Sequence, residues 1–308
     1  MGSRVAPLDL AGTFLPVTTP FDRVTGDLDI VAFRSNLRHW FRFPIRGVLL
    51  AGTTGEAVLL DDDERRALLD AAAGVVPDGA VIIVGAGAES TRHTIRACHD
   101  AAEGGADAVL VSPPAFFKGA MTPEVLADHF RAVADATPIP VIVYQVPLRM
   151  NTLELPSGLV GELSRHPNIV GIKDSRGKLD LIGELVRQTA PGFQVLVGSG
   201  ALLYAALETG AVGGIVAVGL MATAEAAEIP IAFGAGRTAE AGRLQERISS
   251  VHQEIVAGMG VPGVKAALDL LGLHGGAPRP PLRGAPESRV AEVRRILEEA
   301  GLLTGVGA

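Results

Sequence analysis

Eight short runs of Val, Ile, Leu and Ala recur along the chain, and their spacing limits the folds open to it more than any other feature. They are Thr13–Val17, Val48–Leu50, Val81–Val84, Ala108–Val111, Val141–Tyr144, Ile169–Ile172, Val195–Val197 and Ile215–Val218. Each is continuously apolar, as a strand buried on both faces must be, and such burial is typical of parallel sheets. Their first residues lie 35, 33, 27, 33, 28, 26 and 20 positions apart. Every interval has room for a crossover helix, and several carry helix starts, such as Asp61-Asp62-Asp63-Glu64 before Ala67-Leu68-Leu69 and Thr122-Pro123-Glu124 before Leu126. Eight strand–helix units can close without a free edge, whereas an open, doubly wound sheet of that width leaves two. The pattern therefore predicts an α/β fold, a (β/α)8 TIM barrel. Four more helical segments follow: Ala224–Phe233, Ala239–Ala257, Val264–Leu271 and Glu287–Glu299, the last after a Gly/Pro-rich stretch, Gly275–Pro286. These exceed one ring helix, so the expected division is a barrel over residues 1–223 and a C-terminal helical appendage over 224–308.

Composition removes several classes of function. At 48% hydrophobic and 20% charged, the chain has ample material for a core. A net charge of −7, with arginines scattered along the sequence, lacks the basic stripe that nucleic-acid binding requires. The single cysteine, Cys98, forms no internal disulfide and supplies no thiolate cluster, which fits a reducing compartment, the cytoplasm by default. Neither a signal-peptide core in Met1–Leu10 nor an unbroken apolar stretch of ~18 residues is present, so export and membrane spanning are not expected.

In a barrel of this kind, chemistry gathers where strands end and their following loops begin. Those positions carry Gly52-Thr53-Thr54-Gly55-Glu56, Tyr144-Gln145-Val146-Pro147-Leu148-Arg149, Lys173-Asp174-Ser175 and Gly198-Ser199-Gly200. Lys173 is the most informative, because the chain has four lysines against 23 arginines and this one directly follows an apolar strand. Desolvation there would leave a neutral amine able to attack a ketone and form a Schiff base; the alternative is a simple pair with Asp174 or with a helix carbonyl. Lys173 is the one lysine expected to be desolvated. The Gly52–Glu56 turn could cradle a carboxylate or phosphate, or be an ordinary glycine turn. Tyr144 could relay a proton or be a core aromatic, and Arg149 could clamp a substrate carboxylate or be a solvated charge. Glycine patterns for dinucleotides fail at Ser90 and Leu203, and the histidines show no zinc-binding spacing, so no metal site is expected.

Together, Gly52-Thr53-Thr54-Gly55-Glu56, Tyr144-x-x-Pro147 and Gly171-Ile172-Lys173-Asp174, in that order on the second, fifth and sixth strands, resemble the dihydrodipicolinate synthase/N-acetylneuraminate lyase family of pyruvate-dependent class I aldolases. The resemblance runs from Gly12-Thr13-Phe14 to Gly263-Val264-Lys265. Within the family, Gly12–Asp22, Phe43–Gly47, His166–Gly171 and Phe193–Leu196 are most similar to 4-hydroxy-2-oxoglutarate aldolases. The resemblance implies an imine on Lys173, proton relay and carboxylate binding by Thr53 and Thr54, and a catalytic phenol in Tyr144. It also implies Gly198 in the pocket wall, the Val216 carbonyl facing the lysine, and Arg149 receiving a second carboxylate. No metal or organic cofactor is implied. The implied partners are a small 2-oxo acid and an aldehyde, with a homotetramer formed as a dimer of dimers. The sequence departs from the family at Phe116 and Phe117, where no tyrosine reaches toward a neighbouring subunit, and at Gln145 and Met150. The expected activity is cleavage of a 4-hydroxy-2-oxo acid to pyruvate and an aldehyde. The alternatives are dihydrodipicolinate synthesis from pyruvate and aspartate semialdehyde, or a 2-oxo-acid-binding member with weak turnover.

Overall fold

A computed structural model of the chain describes residues 8–303. Eight parallel strands close into a barrel in chain order: β1 (Gly12–Pro16), β2 (Gly47–Leu50), β3 (Val81–Gly85), β4 (Ala108–Val111), β5 (Val141–Gln145), β6 (Ile169–Asp174), β7 (Gln194–Val197) and β8 (Gly213–Ile215), which pairs with β1. Between them run α1 (Ile30–Trp40), α2 (Asp62–Ala73), α3 (Thr91–Glu103), α4 (Pro123–Ala136), α5 (Ser157–Leu163), α6 (Leu179–Gln188) and α7 (Leu203–Glu208).

Strand alternation divides the core in two. Phe14, Leu49, Ile83, Leu110, Ile142, Leu196 and Ile215 fill the barrel interior. Leu15, Val48, Leu50, Val109, Val143 and Ile172 face outward and pack with the helices. Burial on both sides explains the continuous apolar runs. The helices begin where their sequences supply caps: Asp61 and Glu64 form a reciprocal capping box on α2, Ser90 caps α3, and Thr122 caps α4 with Pro123 in its first turn. The end of the barrel where the strands begin is closed by Leu10, whose N–H donates to Gln194 Oε1 at 2.7 Å while Gln194 Nε2 donates to the Leu8 carbonyl at 2.8 Å.

The eighth strand begins two residues earlier than the apolar run predicts. Its first residues are Gly213 and Gly214, whose added Cβ atoms would meet the Gly12 carbonyl at 1.9 Å and the Val197 carbonyl at 2.9 Å. Close backbone approach selects glycine here, and a hydrophobicity pattern does not register glycine as strand.

After β8, α8 (Thr223–Gly234) packs against α7 and β1, and Thr13 Oγ1 donates to the Ala226 carbonyl at 2.5 Å. This helix completes the ring, so we place the start of the appendage after it, at Gly236, instead of at residue 224. The chain continues as α9 (Thr238–Val251), a π-helical turn over His252–Ala257, α10 (Gly258–Leu270) and α11 (Glu287–Glu299). Gly260, at φ 66° and ψ −150°, kinks the start of α10. The Gly/Pro-rich stretch is pinned down: Asn36 of α1 exchanges two hydrogen bonds with His274, and Arg279 donates to the Gly26 and Leu59 carbonyls and to Glu64.

Candidate active site

The register of the barrel puts Tyr144 beside Lys173 on adjacent strands, both turned into the interior. Lys173 is 5% exposed, and its Nζ lies 4.5 Å from the centroid of the Tyr144 ring. The Tyr144 hydroxyl lies 3.2 Å from Thr53 Oγ1, which reaches in from the turn after β2. Burial holds the Lys173 ammonium below the ordinary lysine range, with the Tyr144 oxygen opposing that shift through charge and a hydrogen bond. Among the described residues no carboxylate pairs with Nζ. Asp174 points to the other side of the strand and is taken by Arg176, whose Nε donates to Oδ2 at 2.8 Å and whose backbone N–H donates to Oδ1 at 2.9 Å. The pairing alternative for Lys173 therefore fails on strand geometry.

These groups line a cavity of roughly 330 Å³ at the strand-end face, together with Thr54, Arg149 and Gly198. The N–H groups of Thr53, Thr54 and Gly55 have no protein acceptor among the described residues, which leaves them free for an anion. Gly198 gives Ser175 its room: a Cβ there would stand 1.9 Å from Ser175 Oγ and 2.9 Å from its Cβ, so any side chain would displace the serine. Arg149 lies exposed at the rim. Val216 does not join the lining; its neighbours Ile215 and Ala217 do, while its side chain packs outward and its carbonyl accepts from the Gly219 N–H at 3.2 Å. That carbonyl takes part in the turn after β8 and keeps a second lone pair for another donor.

Among the lining residues that escaped the sequence reading as site residues are Ser175, Ser199 and His252. The two serines sit in strand-end segments that were recognised as polar, so the signal was present. His252 was invisible, because it arrives from the π-helical turn far along the chain. It is buried, and burial together with the Arg149 charge lowers its pKa to about 4. Gln145 holds the loop after β5 instead of facing the cavity: its Nε2 donates to the Val146 and Leu153 carbonyls, and its Oε1 accepts from the Leu155 N–H.

Lys265 corrects the expectation that Lys173 alone is desolvated. It is 1% exposed and lies 2.6 Å from Glu56 Oε1, donating also to the Ala277 carbonyl at 3.0 Å and resting over the Phe21 ring. Burial lowers its pKa as well, with the Glu56 and Asp269 carboxylates pulling back. The partner Glu56 ends the Gly52–Glu56 turn in a left-handed conformation, φ 61°, and accepts the Arg279 N–H. Thus the same pentapeptide sets Thr53 and Thr54 in the cavity and anchors α10 behind it.

Phe116 and Phe117 line no wall of this cavity. They are 79% and 71% exposed, packed edge to face with centroids 5.1 Å apart, on a loop held by Glu89, which accepts the Ala115 and Phe116 N–H groups. A second cavity, roughly 660 Å³, shares Thr53, Tyr144 and Met150 with the first and presents Ser112, Asn151 and Thr152. Among the described residues, no group of three or more His, Cys, Asp or Glu is arranged to hold a metal ion, and no helix is long and apolar enough to cross a membrane.

Comparison with known proteins agrees with this geometry. Residues 9–300 match the model of the dihydrodipicolinate synthetase family. A probable mitochondrial 4-hydroxy-2-oxoglutarate aldolase of Emericella nidulans is 33% identical over 94% of this chain and 94% of its own length. A 4-hydroxy-tetrahydrodipicolinate synthase of Mycolicibacterium paratuberculosis is 33% identical over 97% of each. Among solved structures, a dihydrodipicolinate synthase of Bacillus anthracis superposes with a TM-score of 0.88 at 28% identity, covering 94% of this chain and 98% of that one. Fold, strand-end lysine and sequence similarity over nearly the whole chain converge: this is a carbon–carbon lyase belonging to the dihydrodipicolinate synthetase family.

Proposed function

We propose that the protein is a Schiff-base-forming class I aldolase that cleaves a 4-hydroxy-2-oxo acid, with 4-hydroxy-2-oxoglutarate as the leading substrate, to pyruvate and an aldehyde. The observation that carries this reading is Lys173, buried without a carboxylate partner beside Tyr144. Its neutral amine adds to the C2 ketone, and loss of water leaves a protonated imine. A proton leaves the C4 hydroxyl through Tyr144 while the C3–C4 bond breaks. The electron pair flows into the iminium, giving an enamine and the free aldehyde. The proton returns through Tyr144 to C3, and water hydrolyses the imine to release pyruvate and the lysine. Thr53 orients the phenol, and Thr54 with the free N–H groups of the turn receives the C1 carboxylate. Gly198 keeps the wall open, and Arg149 faces the distal end of the substrate.

Borohydride reduction in the presence of pyruvate, followed by peptide mass spectrometry, tests the imine: the adduct is expected on Lys173. Parallel assays separate the two activities, cleavage of 4-hydroxy-2-oxoglutarate and condensation of pyruvate with aspartate semialdehyde. Arg149 and the synthase relatives favour the condensation; the aldolase-like segments and the lack of a tyrosine at Phe116 and Phe117 favour cleavage. Condensation at a kcat/KM of ~10⁴ M⁻¹s⁻¹ or better would overturn the ranking.

The exposed Phe116–Phe117 pair, with Val58 at 93% exposure, supports burial of this face against a second copy of the chain, in line with a dimer-based homotetramer. Sedimentation of a Phe116→Ser/Phe117→Ser variant is expected to show a smaller species. The buried Cys98 thiol, its pKa pushed up to about 11, suits a reducing, cytoplasmic setting.

A further inference from the structure

We infer that His252 is a positioning residue that turns the Ser199 hydroxyl into an obligate hydrogen-bond donor for a second carboxylate on the substrate, at the end of the cavity away from the imine. The inference deepens the aldolase reading and rests on it for the identity of the substrate. His252 Nδ1 receives the Gly200 backbone N–H at 3.2 Å, and Nε2 lies 3.2 Å from Ser199 Oγ. A backbone N–H can only donate, so Nδ1 must present its lone pair. The ring is neutral in this buried position, so its single proton sits on Nε2. That proton is donated to Ser199 Oγ, which is left with its own O–H to offer. Ser199 lines the cavity and, among the described residues, has no protein acceptor for that O–H. The imidazole therefore fixes not only where the serine sits but also the sense of its hydrogen bond.

The rest of the lining shows what that donor meets. The ionisable lining side chains are Lys173, Tyr144, Arg149, Arg176 and His252, and the lining contains no Asp or Glu. Arg176 is consumed by Asp174 and Glu154, which leaves Arg149 at the rim as the uncommitted guanidinium. A donor serine in the same cavity as a free guanidinium suits an anionic acceptor and gives nothing to a methyl or phenyl group. The site thus selects 2-oxo acids that carry a carboxylate at both ends.

The test compares two five-carbon ligands that differ only at the far end, 2-oxoglutarate and 2-oxopentanoate, by calorimetric titration of the intact enzyme. Wild type is expected to prefer 2-oxoglutarate. Ser199→Ala should reduce that preference about 10- to 100-fold, the range for losing a hydrogen bond to a charged group, with 2-oxopentanoate binding little changed. His252→Asn retains an acceptor for the Gly200 N–H but has no counterpart of Nε2, so it should lose the preference to a similar degree. His252→Gln, whose amide can replace the Nε2 donor, should keep most of it. Ser199→Ala leaves the His252–Gly200 bond in place, so the proposal stays testable if a His252 variant fails to fold. An unchanged preference in Ser199→Ala, or equal weakening of both ligands in His252→Asn, would overturn the inference. Failure of the aldolase reading shows separately, as a wild-type enzyme that prefers 2-oxoglutarate yet does not cleave 4-hydroxy-2-oxoglutarate.

Discussion

Lys173 and Lys265 are both almost wholly buried, at 5% and 1% exposure, yet their surroundings give them opposite work. Lys265 has a carboxylate at 2.6 Å, a carbonyl at 3.0 Å and an aromatic face beneath it. Each favours the ammonium, so the charge stays and the side chain ties α10 to the turn after β2. Lys173 has a phenol beside it and, among the described residues, no carboxylate. Desolvation is then weakly opposed, and the nitrogen becomes a nucleophile. Burial alone does not make a lysine reactive; what it is buried against decides.

The comparison is sharpened most by Lys173→Met. Turnover should fall by roughly 10⁵-fold or more, the scale seen when a covalent nucleophile is removed, and borohydride with pyruvate should leave no adduct anywhere. An adduct appearing on Lys265 would break the contrast. Tyr144→Phe should lower kcat by about 10²–10⁴-fold while the Lys173 adduct still forms, because the phenol moves protons and the amine makes the bond. Peptide mass spectrometry beside steady-state kinetics reads both outcomes.

At Lys265 the expected damage is to stability. Lys265→Met strands the Glu56 carboxylate in the interior, which costs about 3–5 kcal/mol, with kcat per folded molecule little changed. Glu56→Gln/Lys265→Met should recover much of that loss in a denaturant melt, since no uncompensated charge remains. The smallest effect is a pH slope. The folded pKa of Lys173 is below its unfolded value, so its contribution to stability is fully present above the unfolded pKa and is lost as pH falls toward the folded one. Wild type should therefore lose stability relative to Lys173→Met on that descent, by at most about 1.4 kcal/mol per pH unit.

Much of this was legible in the sequence. The eight strands announced themselves because burial on both faces demands unbroken apolar runs, and Lys173, Tyr144, Thr53, Thr54, Gly198 and Arg149 are all brought to one cavity because they sit at the ends of those strands or in the loops that follow. The misses share a cause: they are fixed by approach in space. Gly213 and Gly214 are strand because the Gly12 and Val197 carbonyls come too close for a side chain. Lys265 is buried by a carboxylate 209 positions earlier in the chain, and His252 reaches the cavity from a helix no strand pattern announces.

The π-helical turn at His252–Ala257 makes the C-terminal region sensitive to chain length in a way the barrel loops are not. Such a turn accommodates one residue more than the α-helix around it. Deleting one residue there would restore α winding and leave the helix beyond nearly in phase, with the placement of the imidazole lost. Deleting one residue from the α-helical stretch that follows would instead rotate everything beyond it by roughly 100° and draw it back by about 1.5 Å, parting Lys265 from Glu56. The surplus residue therefore sets the imidazole at Ser199 without disturbing the phase that brings the ammonium to Glu56.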